Sequence, residues 1–183
     1  MGLVIKGATS GQVTVDVPAS AGTNTLTIPA LTGTANIVGS SFSAYQSSQQ
    51  TGISNGVNTK INFQTEEWDL NSDYDTSNSR FTPTVAGYYQ ITIGCQGGTS
   101  RSGNGTSALF IFKNGSKFKD MVMNEGHTNQ VTWGIHTAIV ACNGSSDYIE
   151  AYVNADGMPS TYNLNSGGNN HRTFFQGIFI RGL

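Results

Sequence analysis

Charge is what this 183-residue chain has least of. Asp, Glu, Lys and Arg together make up 11% of it, against roughly a quarter of an average soluble domain. With 9 basic and 11 acidic residues, a formal net charge of −2 and a pI near 5.8, it offers no basic footprint for nucleic acid or an anionic membrane surface. Long apolar runs are also missing. None approaches the roughly 18 residues of a membrane helix, which argues against membrane insertion. Met1-Gly2-Leu3-Val4-Ile5-Lys6 continues into polar residues, where a secretion signal needs an apolar stretch. Lys6 stands where a myristoylation motif needs Ser or Thr. The only two cysteines, Cys95 and Cys142, are too few for a disulfide scaffold and lack zinc spacing. Buried free thiols at two strand ends are the favoured reading, with one disulfide as the alternative.

Ser, Thr and Asn fill the place of the missing charge, with 57 residues, and aromatics make up 10%. Disordered chains combine few aromatics with high net charge, so this one is built to fold. Helical periodicity is nearly absent. Period-2 alternation recurs between Gly, Asn and Pro punctuation, at 14–17, 25–28, 42–46, 59–63, 88–95, 108–113, 131–141, 148–154 and 173–181. Asn-Gly at 55–56, 104–105, 114–115 and 143–144 has the chemistry of type I′ hairpins, and three of these also read as glycosylation sequons. The expected fold is all-β, an antiparallel sandwich or jelly roll. Phe174 to Ile180 is apolar on both faces, so it belongs in the middle of a sheet.

Residues 1–39 read as a separate β segment, and 40–183 as one domain of about ten strands. In the segment, Val13, Val15 and Val17, then Leu26 and Ile28, form thin apolar faces on pieces closed by Pro18 and Pro29. Such pieces are marginal alone and call for a partner surface, either neighbouring chains or a larger assembly.

Phe63, Asp69, Tyr74, Phe81, Gly87 and Tyr89 stand at the spacing of the C1q-domain signature, and 40–183 resembles that family. Ala44-Tyr45, Phe112-Lys113-Asn114-Gly115, Asp147-Tyr148-Ile149 and Phe175-Gln176-Gly177 extend the resemblance; Ile91 and Ile93 replace its last two aromatics. The resemblance implies a C1q/TNF-like jelly roll of two antiparallel sheets that assembles as a homotrimer. Tyr45, Tyr89, Ile91, Phe175 and Phe179 are the expected trimer contacts. Residues 11–34 resemble a segment of tail-fibre and other virion proteins of tailed bacteriophages, which implies attachment to other virion proteins through residues 1–39.

Chemical motifs are weak. Gly103-Asn104-Gly105-Thr106-Ser107-Ala108 fits a dinucleotide fingerprint, but a strand-like run follows it where a helix is needed. Asp69, Asn71, Asp73 and Asp75 alternate as in a calcium loop, yet Tyr74 replaces its glycine and Arg80 its bidentate glutamate. Glu66 and Glu67 would point to opposite faces of a strand, and His127, His136 and His171 are scattered, with His136 expected as a satisfied structural histidine. No cofactor and no confident metal site follow, although an ion on a trimer axis stays open. Loops at 97–106, 124–130 and 154–170 offer Arg101, His127, Met158, Tyr162, Leu164 and Asn165 as receptor-binding candidates among Asn, Ser and Gly.

The expectation is a non-enzymatic homotrimer on a phage virion surface, made in the host cytoplasm. It would be a short tail fibre or appendage whose head binds a host surface glycan or protein. The rivals are a capsid decoration protein clipped on by its N-terminal arm, and a secreted C1q-like lectin.

Overall fold

A computed structural model describes residues 3–6, 8–15, 39–97, 105–125, 133–157 and 162–183. The chain divides into two compact units, Met1–Gly33 and Thr34–Leu183. In the first, β1 (Leu3–Lys6) pairs antiparallel with β2 (Gln12–Val15), Leu3 opposite Val15 and Lys6 opposite Gln12. The alternation at Val13 and Val15 does form strand, but its partner is the chain's own start, a strand the periodicity reading left out. Val4 and Ile5 are exposed. Val17, Leu26 and Ile28 lie outside the described residues.

The second unit contains β3 (Ser41–Tyr45), β4 (Gln50–Ile53), β5 (Thr59–Lys60), β6 (Thr65–Asp69), β7 (Tyr74–Asp75), β8 (Arg80–Phe81), β9 (Gly87–Gln96), β10 (Gly105–Lys113), β11 (Ser116–Glu125), β12 (Trp133–Cys142), β13 (Ile149–Asp156), β14 (Tyr162–Leu164) and β15 (Phe174–Gly182). One sheet has the order β12-β9-β15-β3-β6; the other runs β11-β10-β13-β8-β7, with β5 also beside β13. A small pair, β14-β4, completes it, and every pairing is antiparallel. The C-terminal β15 is the central strand of its sheet, as its two-faced apolar sequence requires.

Aromatic rings fill the space between the sheets. Phe42 stacks on Tyr74 at 4.8 Å and Phe81 at 4.4 Å, and meets Phe175 edge-on at 4.9 Å. The signature residues Phe63, Tyr74, Phe81 and Tyr89 are all buried here. The Tyr74 hydroxyl donates to the Phe63 carbonyl at 3.1 Å, and Asp69 accepts the Tyr74 N–H at 2.8 Å. Gly87 is required by contact: a Cβ there would lie 2.2 Å from the Phe179 ring and 2.5 Å from the Arg181 carbonyl.

This burial corrects three of the expected trimer contacts. Tyr89, Ile91 and Phe175 have no exposed surface, because their strand faces look onto the second sheet. Phe179 also turns inward, edge-on to Tyr89 at 5.3 Å. Only Tyr45 of the five looks outward.

Type I′ geometry is confirmed at one of the four Asn-Gly pairs. Asn114 and Gly115 both have positive φ, 53° and 76°, and join β10 to β11 as a type I′ turn. At Asn143 the side-chain carbonyl instead accepts the N–H groups of Ser145, Ser146 and Asp147, each at 3.0 Å. At 55–56 only Gly56 has positive φ, and Asn104 lies outside the described residues.

The cysteines are free and buried. Cys95 lies opposite Gly134 and Cys142 opposite Gly87, at the two ends of one ladder. Eight residues of strand put roughly 27 Å between them, far beyond the roughly 4.4–6.8 Å a disulfide spans. Burial pushes the Cys95 thiol up to about 12 and that of Cys142 up to about 11.

Candidate functional site

Strand alternation gives the five-stranded sheet an outward face, and its composition is unusual. Ile135, Thr137 and Ile139 project from β12, opposite Gly94, Thr92 and Gln90 of β9, which in turn oppose Phe174, Gln176 and Ile178 of β15. Ile135 is 64% exposed, Ile139 58%, Ile178 56% and Trp68 on β6 44%. A neutral polar row crosses between the isoleucines: the Thr92 and Thr137 hydroxyls are 3.1 Å apart, and the Gln176 amide donates to Ser43 at 3.0 Å. Among the described residues, the charged groups of this face are Arg181, over the Tyr88 ring at one end, and Glu67, bonded to Ser43 and His171 towards the other.

Chain direction gives this face two distinct ends. Gly39 and Ser40 lie at one end, where the Phe179 N–H donates to the Ser40 carbonyl at 3.2 Å. From there β3 runs to Tyr45, opposite Phe174. At that second end β9 finishes at Gln96 opposite Trp133, and Gly105 begins β10 opposite Glu125. Thr106 there opposes Asp156, and Gly97 bridges to Leu164. The strands flanking 98–104, 126–132 and 158–161 thus all end together, away from Gly39. These strand ends come from segments that lie apart in sequence.

At this distal end lies a hollow of about 530 Å3, lined by Gly94, Cys95, Gly134, Ile135, Asn170, His171, Arg172 and Phe174. Gly94 lets the Phe174 ring lie across β9: a Cβ there would come within 2.2 Å of the ring. His171 follows a one-turn 3-10 helix, Gly168–Asn170, with φ 44° and ψ 52°. Its ring stacks on Tyr45 at 3.6 Å, and its Nδ1 lies 2.9 Å from Glu67 Oε1. The hydrogen bonds from Ser43 and His171 hold the Glu67 carboxyl below the usual carboxylate range. Arg172 donates to Gln96 Oε1 at 3.2 Å, and the Thr173 hydroxyl ties back to the Asn165 carbonyl at 2.7 Å.

Of the receptor-binding candidates, Arg101, His127 and Met158 lie outside the described residues. Tyr162 is buried in the core with Leu164, its hydroxyl beside Gly97, so it supports the loop and offers no surface in this protomer. Asn165 is half-buried and shapes the turn, its side-chain oxygen accepting the Gly167 N–H at 2.9 Å. None of His171, Arg172 and Phe174 was among the binding candidates. The one available signal was a basic pair in a chain with only 9 Lys and Arg.

The other motifs resolve into structure. Gly105 opens a strand, so no helix follows the glycine fingerprint. Asp69 accepts from the Asn71 and Tyr74 amides and Asp75 from Ser77 and Asn78, all local contacts, while Asp73 accepts the Thr84 amide and hydroxyl across eleven residues. Among the described residues no group of three His, Cys, Asp or Glu converges to hold a metal. The expectation for His136 is corrected in part: one ring nitrogen meets the Lys119 backbone, but Nε2 is buried without a partner, and desolvation holds the imidazole pKa below its ordinary value. On the outward face of the other sheet, Glu150 accepts from Lys60 at 2.7 Å and Arg80 at 2.9 Å, tying β5 and β8 to β13.

No protein-family model matches the chain, and no curated protein matches it by sequence. Solved structures do match. The globular domain of zebrafish complement 1qA protein has 17% identity and a TM-score of 0.53, covering 80% of this chain and 100% of its own. Murine APRIL at pH 5.0 has 9% identity and a TM-score of 0.57, with 78% and 100% covered. Eiger TNF from S. frugiperda has 8% identity and a TM-score of 0.54, with 80% and 94% covered. The head is a C1q/TNF-like jelly roll.

Proposed function

We propose that this chain is a non-enzymatic binding protein that assembles as a homotrimer through the outward face of its five-stranded sheet. On the surface of a tailed-phage virion, residues 1–39 hold it to the particle and the distal end meets the host. The observation that carries self-assembly is the face itself: Ile139, Ile178 and Trp68 stand exposed around neutral side chains. Monomers seldom leave such contiguous apolar surface open, and interface cores are depleted in charge. C1q- and TNF-like neighbours of the fold support the same reading. The virion placement rests on the sequence of residues 11–34, with its resemblance to tail-fibre segments, and on the exposed Val4 and Ile5 of the two-stranded β1–β2, a pairing marginal on its own.

The test is incorporation. Expressed with and without residues 1–39 during phage infection, the full chain is expected on purified particles and the truncated chain in the soluble fraction as a folded trimer. Electron microscopy of labelled particles then locates it. A few copies at the tail support host attachment, whereas copies at the capsid three-fold positions would transfer it to shell decoration. A truncated head that stays monomeric would overturn the trimer.

A further inference from the structure

We propose that the distal hollow binds a neutral sugar unit of a surface polysaccharide, with the C–H face of the sugar ring on Phe174 and one of its hydroxyls donating to His171 Nε2. This deepens the host-binding reading and rests on it for the source of the ligand. The hollow's volume, about 530 Å3, lies within the range of small-molecule sites, roughly 300–1,000 Å3. The fixed charges beside it are already engaged. Arg172 donates to Gln96 Oε1 at 3.2 Å, and its stem fills the space that a Cβ at Gly167 would need, so it pins the loop. Glu67 accepts from Ser43 and meets His171 Nδ1. A ligand is therefore offered an aromatic ring, an isoleucine, the Asn170 amide and an imidazole edge, which suits an uncharged molecule with one apolar face and hydroxyls at its rim.

His171 is held in place before any ligand arrives. Its backbone is left-handed, a geometry that non-glycine residues take only where their surroundings enforce it. Here the Tyr45 stack and the Glu67 contact do so. An ionised carboxylate only accepts, so Nδ1 carries the proton and Nε2 of the neutral ring keeps its lone pair. Among the described residues the Glu67 contact is the side-chain hydrogen bond of this ring, which leaves Nε2 to accept from a ligand hydroxyl. A ring fixed in advance loses little freedom when it binds. Phe174 supplies the apolar wall. Its ring lies over the sheet where a Cβ at Gly94 would stand, and it lines the hollow beside the exposed Ile135. The negative face of an aromatic ring attracts the weakly positive hydrogens of a sugar's C–H face. The hollow uses the distal row of the sheet face, and the basal row of Ile139, Gln90 and Ile178 remains for self-assembly.

The test titrates the full chain with methyl β-galactoside, a ring with hydrogens along one face, and with galactitol, an open chain of hydroxyls that has no such face, followed by saturation-transfer NMR. The galactoside is expected to bind about tenfold more tightly than galactitol, with saturation strongest at the hydrogens of its apolar face. His171→Asn keeps a residue type that tolerates the left-handed backbone and removes Nε2; it is expected to lose most of the galactoside binding without changing the assembly state. Ile135→Trp, a substitution at an exposed position, is expected to fill the hollow and block the sugar, which covers the case of a misfolded His171 variant. Equal binding of galactoside and galactitol, or full binding by both variants, would overturn the proposal. Host-cell adsorption separates the two readings. If the wild type adsorbs and both variants adsorb equally, the sugar site is wrong and host binding stands; if the wild type does not adsorb, host binding fails and the galactoside titration still decides the site.

Discussion

At the scale of residues, close contact and charge burial decide which positions are restricted. Gly87 has the Phe179 ring and the Arg181 carbonyl where a Cβ would go, and backbone cannot swing aside as a side chain can. Gly87→Ala is therefore expected to cost about 1–3 kcal/mol, the ordinary cost of overpacking, read as a lower urea midpoint. Glu150 supplies a pH test. Burial opposes its charge, but the bonds from Lys60 and Arg80 outweigh that and leave its pKa below 4.5. A carboxyl whose folded pKa is depressed binds fewer protons folded than unfolded, so its contribution is fully present above the unfolded pKa. It is lost as pH falls through the folded one. Thermal melts from pH 7 downward should show stability declining below about pH 4.5, and Glu150→Gln should flatten that decline. At neutral pH the same substitution should cost about 1–3 kcal/mol, since two cations lose their partner but keep some solvent.

At the scale of elements, the β10–β11 hairpin depends on a turn that few residues can adopt. Its two central residues both sit in the left-handed region, and the Asn114 side chain also donates to Asp147 at 2.7 Å and accepts the Tyr148 N–H at 2.9 Å. Gly115→Val should cost about 1–2 kcal/mol from backbone strain alone, measured by chemical denaturation. The same pattern shows what periodicity could and could not reveal. The long strands β9, β10, β12, β13 and β15 were visible because one face alternates or both are apolar. Strands β4, β6, β11 and β14 were not, because they are short or mostly polar and exposed, as in Thr65-Glu66-Glu67-Trp68-Asp69. Such segments become strand through a neighbour's backbone, and sequence pattern carries little trace of that.

For the whole molecule, the exposed isoleucines make self-assembly testable without disturbing the core. Ile178 sits on the central strand and is more than half exposed, so a charge there is tolerated by the folded protomer and excluded from an apolar interface. Ile178→Lys is expected to sediment as a folded monomer where the wild type sediments as a trimer, with an unchanged far-ultraviolet circular dichroism spectrum. A trimeric Ile178→Lys protein would place the interface elsewhere.

The sequence by itself determined the class and the central position of the last strand. Each follows from local chemistry: alternation and two-sided apolarity. It did not determine which face of β9 looks outward. Tyr89 and Ile91 were read as contacts for a neighbour and are instead the core, because a period of two separates the faces without saying which is covered. Only the second sheet, closing over one side, decided that. The distal hollow is tertiary for the same reason: Gly94, Ile135, His171 and Phe174 come from separate segments, and antiparallel registers brought them to one end.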